Sequence, residues 1–205
     1  NMWGIGYDAL IKNNHAWVLS RVAVEMKRYP KVNENYVVTT WIESYNRHFS
    51  KRNMEITDQN GETIGYVRTV WMIIDLASRG GADIDRYGNI ADYVSERACP
   101  IEPISRLRMT GDASKKSDYT FKYADCDVNR HVNTVRYVEL LLNQFTLEQF
   151  DKSFVERFEI SFYKETRYGE TAEVMMEGSG ENCKLSVEVN GECHCCARFR
   201  LAPRK

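Results

Sequence analysis

Three polar side chains of different chemistry recur at every second position in the stretch DCDVNRHVNTVRYVELLLNQF, residues 125–145. They are the carboxylate of Asp127, the amide of Asn129 and the imidazole of His131. An imidazole accepts a proton near neutral pH. A carboxylate nearby can orient it, stabilise its charge or serve as the base itself, and an amide offers both a donor and an acceptor. In an extended segment alternate side chains share one side, so the spacing predicts that the three converge just ahead of the apolar helical pattern starting at Val132. A helix start adds unpaired N–H groups and the positive end of the helix dipole. Both suit a developing oxyanion, and the backbone amides of Val132 and Asn133 are the candidates. Taken singly, Asp127 and Asn133 also read as ordinary helix N-caps, and His131 as a structural histidine. The nearest thiol, Cys126, alternates away from Asp127. With no Ser or Cys matched to a base in the motif, the spacing offers no covalent intermediate.

The elements that must position these groups follow from periodicity and turn chemistry. Asn60-Gly61 and Asn190-Gly191 sit 130 residues apart, each between strand-like runs and each followed by Glu. Asn-Gly between such runs predicts a tight type I′ turn, since both residues tolerate positive φ. The same offset relates two apolar helical patterns. One runs from Val132 to about Phe150, with Val135, Val138, Leu141, Leu142 and Phe145. The other covers residues 2–20 and continues to about Met26, with Leu10, Ile11, Trp17, Val18 and Val22. Helices apolar around much of their circumference are buried. Strand-like runs follow each, at 35–49, 52–59 and 62–76, then at 154–165, 171–179, 183–189 and 192–201. A further strand is expected at about 118–124 ahead of the second helix; its counterpart would precede residue 1. Residues 78–117, with Pro100, Pro103 and GDASKKSD, break the patterns. The expected fold is α+β: a long helix wrapped by an antiparallel sheet, duplicated in tandem as a double hot-dog, with domains 1–105 and 106–205.

The totals exclude several functions. The 205 residues are 43% hydrophobic and 28% charged, a globular composition, and the net charge of −1 supplies no global basic field for nucleic acid. No apolar run approaches the roughly 18 residues of a membrane span. Six cysteines lack the spacing of a disulfide scaffold, which points to a reducing, cytoplasmic setting. Cys193-His194-Cys195-Cys196 has no second ligand pair at finger-like spacing, so these read as buried strand cysteines. No metal and no cofactor are expected.

DCDVNRHVNTVRY resembles the Asp-x-Asn-x-His-Val-Asn motif of the acyl-ACP thioesterases. The likeness extends to NHAWVLSRVAVEM (14–26), VVTTWIESYNRHFSKRNMEI (37–56) and ISFYKET (160–166), in order along nearly the whole chain. Without a visible transit peptide, the chain is more similar to bacterial members than to plant ones. The resemblance implies hydrolysis of the thioester joining a fatty acyl chain to the phosphopantetheine arm of acyl carrier protein. It carries the catalytic residues onto Asp127, Asn129 and His131, and a catalytic Glu onto Glu165, expected on a strand. Where some plant members have Cys, this chain has Thr166, which argues against a Cys-His mechanism. Which group removes the proton stays open.

The first unit has no such motif. By the resemblance its task is to hold the acyl chain, and Trp3, Trp17, Trp41, Trp71 and Met72 are the apolar candidates, with core packing as the plainer alternative. Acyl carrier proteins are acidic, so docking is expected to use local cations. Arg130, Arg136, Lys164 and Arg167 flank the motif residues. Rival readings are an acyl-CoA thioesterase, a non-catalytic acyl-binding module and a dehydratase acting on hydroxyacyl thioesters. The oligomer would be a monomer or a homodimer.

Overall fold

The computed structural model describes residues 6–88 and 90–204. The chain forms two compact units, Asn1–Ile104 and Ser105–Lys205. Trp3 lies outside the described residues.

The first unit contains α1 (Tyr7–Ile11), β1 (His15–Met26), β2 (Tyr36–Tyr45), β3 (Phe49–Asp58) and β4 (Thr63–Asp75). Its strands are antiparallel, in the order β2-β3-β4-β1. The helix expected over residues 2–26 is therefore only five residues long among the described residues, and most of that span is β1. The apolar content of 15–26 reflects a strand with neither face left open, not a helix buried all round. It pairs with β4 from His15↔Asp75 to Met26↔Gly65, and Val18, Val22 and Val24 suit a pleated surface. Asn13-Asn14 is the stop signal that the apolar pattern overrode. Asn14 takes φ +56, a conformation Asn tolerates better than most residues, and turns the chain from α1 into β1.

One face of this sheet carries a core of Leu10, Ile42, Ile73, Ala82, Ile84, Tyr87 and Ile90, with Trp17 packed against it. The other face carries Trp41 with Cys99, Ile101 and Tyr66. Trp41 donates from Nε1 to the Arg97 carbonyl at 2.8 Å, and the Arg97 guanidinium lies 4.2 Å over its ring.

The second unit runs β5 (Ser114–Thr120), α2 (Thr134–Leu142), α3 (Leu147–Lys152), β6 (Ser153–Phe162), β7 (Thr171–Ser179), β8 (Asn182–Val189) and β9 (Glu192–Pro203). The strands are antiparallel in the order β6-β9-β8-β7-β5. The single helix expected from Val132 to Phe150 is split. Thr146 and Gln149 form a reciprocal capping box that begins α3 and satisfies amides a continuous helix would have left inside its ladder. Helix α2 buries Tyr137, Leu140 and Leu141. Tyr137 stacks at a tilt on Phe121 (5.7 Å) and edge-on to Phe162 (6.0 Å). A second aromatic set joins Phe145 to Phe199 (5.1 Å) and Phe199 to Phe158 (4.9 Å).

The two Asn-Gly hairpins differ. Asn190 and Gly191 have φ +54 and +76, the two positive angles of a type I′ turn. At the first hairpin only Gly61 is positive, at +81. There the Gly61 N–H donates to the Asp58 carbonyl (3.0 Å), and Asp58 Oδ1 accepts from the amides of Asn60 (2.9 Å) and Glu62 (3.0 Å). This is a type I turn followed by a left-handed residue, because the Asp58 carboxylate organises the loop from its first position.

Leu141 has no exposed surface and belongs, with Tyr137 and Leu140, to the buried face of α2, near its C-terminal end. Leu141→Ala is expected to destabilise the second unit by about 2–5 kcal/mol, measured as a lowered urea midpoint with an unchanged slope.

Candidate active site

Residues 126–132 form a small hairpin, not an extended lead-in. Cys126 and Val132 pair as an isolated antiparallel bridge. Inside it, the Asp127 N–H donates to the His131 carbonyl (2.8 Å) and the Arg130 N–H to the Asp127 carbonyl (3.0 Å). Arg130 takes φ +62. Asp127 Oδ1 accepts from the Asn129 amide (2.8 Å) and, more weakly, from the His131 amide (3.4 Å). DVNRH at 127–131 thus repeats the turn made by DQNGE at 58–62. The alternation of Asp127, Asn129 and His131 does not place them along one side of a strand, as expected from the spacing. The turn gathers them, with Asp127 bound to backbone and Asn129 Nδ2 3.4 Å from Asp127 Oδ2.

The imidazole of His131 reaches outward to a second loop. His131 Nε2 lies 3.2 Å from Glu165 Oε2, with side chains 22% and 37% exposed. Glu165 stands on the β6–β7 connection rather than on the expected strand, since β6 ends at Phe162. The two loops are joined through backbone: His131 and Arg167 form an isolated antiparallel bridge, and the Val132 N–H donates to the Thr166 carbonyl at 2.8 Å.

That last bond alters the oxyanion assignment. Val132 N–H is committed to Thr166, and Asn133 N–H to the Asp125 carbonyl (2.8 Å). Neither amide of the expected pair is vacant. Asn133 is the N-cap of α2, its side chain accepting from the Val135 amide at 2.9 Å. The first amide within the helix, Thr134 N–H, has no acceptor among the described residues. Which N–H groups a loop consumes is set by pairing with another segment, so spacing alone does not single this amide out.

The remaining candidates separate. Trp17 packs on the apolar face of the first unit with Ile73, and Trp17 and Trp71 share that face by register. Met72, next in β4, points to the other face, the one that carries Trp41. Among the expected docking cations, Arg136 pairs with Glu139 (2.6 Å) and Lys164 with Glu192. The side chains of Arg130 and Arg167 are exposed and make no ion pair among the described residues. The exposed apolar side chains Tyr123, Val128 and Tyr168 stand on the same two loops and the turn before them.

The cysteines of β9 lie in and around the sheet core. Burial pushes the Cys193 thiol up to about 12 and the Cys196 thiol up to about 11, and pushes Cys195 well above the ordinary thiol range. At neutral pH such groups remain thiols, which are poor nucleophiles. His194 is also buried, which lowers its proton affinity, and its Nδ1 shares a hydrogen bond of 2.7 Å with Thr166 Oγ1.

Comparison with known proteins agrees with this architecture. Residues 1–87 match the family model of the acyl-ACP thioesterase N-terminal domain, and residues 109–200 match that of the C-terminal domain. A crystal structure of an acyl-ACP thioesterase from Bacteroides thetaiotaomicron superposes with a TM-score of 0.91 at 35% identity, over 97% of this chain and 82% of that one. The 12:0-ACP thioesterase of Umbellularia californica superposes with a TM-score of 0.83 at 20% identity, over 95% and 78% of the two chains. A Mycobacterium tuberculosis protein described as having a double hot-dog fold shares the fold, with a TM-score of 0.55 over 91% of this chain and 75% of that one at 14% identity. A chloroplastic acyl-[acyl-carrier-protein] hydrolase of Cuphea viscosissima is 28% identical over 77% of this chain. A palmitoyl-acyl carrier protein thioesterase of Gossypium hirsutum is 24% identical over 97%. The chain spans 40% and 50% of the lengths of those two relatives.

The fold is thus α+β, a tandem pair of hot-dog units. The chain belongs to the acyl-ACP thioesterase family. Among the described residues, no helix is long and apolar enough to cross a membrane.

The burial of the β9 thiols has a chemical consequence. In the native protein at neutral pH, the buried Cys195 and Cys196 are expected to resist alkylation by iodoacetamide, while the part-exposed Cys126 reacts first. Mass spectrometry of the digested protein reads the order.

Proposed function

We propose that the chain hydrolyses the thioester of fatty acyl-acyl carrier protein, releasing a free fatty acid and the phosphopantetheine thiol, with His131 and Glu165 as its central pair. The observation that carries this reading is the 3.2 Å contact between His131 Nε2 and Glu165 Oε2, on loops open enough for a substrate to approach. A carboxylate against one imidazole nitrogen fixes the tautomer and stabilises the imidazolium. With Nε2–H directed at Glu165, Nδ1 carries the lone pair that takes a proton from water. The water oxygen bonds to the thioester carbonyl carbon, and the carbonyl electrons move onto oxygen. The donors assigned to that oxyanion in this reading are the Asn129 side-chain amide and Thr134 N–H at the start of α2. When the oxyanion collapses, the C–S bond breaks and the proton held by His131 passes to the departing sulfur. Asp127 serves by shaping the loop, since its carboxylate is bound to the amides of Asn129 and His131.

The first unit holds the acyl chain in this reading, with Trp17 and Trp71 on its apolar face as the leading contacts. Carrier docking rests on Arg130 and Arg167, whose charges are not spent on neighbours as those of Arg136 and Lys164 are. An acidic partner gains from such unpaired cations chiefly in encounter rate and orientation.

Two outcomes are expected. His131→Ala should lower kcat/KM for thiol release from acyl-ACP by about 10²–10⁴-fold, in a thiol-trapping assay across a series of chain lengths. Wild-type protein that releases no thiol from acyl-ACP or acyl-CoA would remove the hydrolase reading and leave an acyl-binding module. Arg130→Glu should raise KM for acyl-ACP by about tenfold, the equivalent of roughly 1.4 kcal/mol, and leave acyl-CoA turnover unchanged. An equal loss on both carriers would place Arg130 in the acyl site instead of the docking surface.

A further inference from the structure

Glu165 stands on the β6–β7 connection, beyond the end of β6 at Phe162, and the backbone beside it is held by a set of buried hydrogen bonds. The next residue, Thr166, has no exposed surface, and every polar group it owns is engaged. Its N–H donates to the Tyr137 phenol oxygen on α2 (3.0 Å). Its carbonyl accepts from the Val132 N–H (2.8 Å). Its hydroxyl shares the 2.7 Å bond with His194 Nδ1 on β9. The chain before Glu165 is held by the same histidine, whose carbonyl accepts from the amides of Tyr163 (2.9 Å) and Lys164 (3.2 Å). Backbone on both sides of Glu165 therefore converges on His194.

We propose that Thr166 and His194 are positioning residues, whose hydroxyl–imidazole bond holds the Glu165 loop at the distance from which its carboxylate reaches His131. This rests on the function proposed above. A hydroxyl and an imidazole are costly to bury unless each finds the other, and an apolar pair would fill the same space without that cost. Kept neutral by its burial, the His194 ring presents one donor and one acceptor, and a hydroxyl can answer either. What the pair supplies beyond packing is direction, which fixes where the backbone of 165–166 lies.

The test compares Thr166→Val, which keeps the shape and deletes the hydroxyl, with Thr166→Ser, which restores it. Thr166→Val is expected to lose about 10²-fold in kcat, the scale of a misplacement of about 1 Å at a reacting group. KM should stay unchanged, and Thr166→Ser should recover most of the loss. Amide hydrogen exchange at Val132 and Thr166, measured without substrate, is expected to quicken in Thr166→Val and return in Thr166→Ser. Wild-type kcat in Thr166→Val, or a Thr166→Ser as impaired as Thr166→Val, overturns the proposal. If Thr166→Val does not fold, His194→Gln, whose amide still reaches the hydroxyl, should keep more kcat than His194→Leu; equal kcat in the two overturns it. If wild-type protein releases no thiol from any acyl thioester, the failure belongs to the proposed function, and exchange decides the positioning role. Unchanged exchange in Thr166→Val would then overturn it.

Discussion

The candidate site depends on one backbone hydrogen bond, from the Val132 N–H to the Thr166 carbonyl. It ties the hairpin that carries His131 to the loop that carries Glu165. The contact between those two side chains could not do this itself. A partly exposed ion pair contributes about 0–1 kcal/mol and is screened by salt, which is too little to order two loops. The backbone bond beside it is backed by residues with almost no solvent: Thr166 at 0%, Tyr137 at 3% and Val132 at 7%. The buried layer does the holding, so the part-exposed pair does not have to order its own loops.

The same bond engages an amide that the chain alone would leave unpaired. A helix start has unpaired amides in general, but Val132 and Asn133 come before α2 proper, and the chain folds back to give each an acceptor. Partners about 34 and 8 residues away along the chain, at Thr166 and Asp125, leave no local trace. Periodicity failed for a related reason at β1. Alternation marks a strand only when one of its faces is open, and His15–Met26 has neither face open. Its apolar residues then imitate a buried helix, with Asn13-Asn14 as the one local sign against it. The second unit was more legible. Its strands β6 to β9 and the start of α2 fall close to the runs read from alternation, and the Asn190-Gly191 turn has the geometry that its two residue types demand. The His131–Glu165 pairing came from family resemblance; no spacing argument joins residues 34 apart.

The shared turn of DQNGE and DVNRH shows how much of a catalytic-looking motif can be architecture. In both, an Asp at the first position accepts from the amides two and four residues on, and a left-handed residue stands fourth, Gly61 in one and Arg130 in the other. In the first unit this turn only reverses the chain between β3 and β4. Glu62 occupies its fifth place, and its side chain makes no ion pair among the described residues. In the second unit the fifth place is His131, and the loop is docked against the β6–β7 connection. The difference between a plain hairpin and a candidate active site is therefore the residue displayed at one position and the segment it meets there.

Such a division separates the demands on each residue. Asp127 spends its carboxylate on two backbone amides, so its charge is absorbed by the loop. Arg130 accepts an angle that Gly would take at less cost, and in exchange the loop keeps a cation at its rim, with no carboxylate claiming it among the described residues. Glycine there would relax the turn and remove that charge. Positive φ at an arginine is not peculiar to this loop, since Arg79 takes φ +61, but DQNGE shows that the same turn can be made with glycine. The guanidinium is left exposed at the rim of the loop, which is what the carrier docking proposed above requires of it.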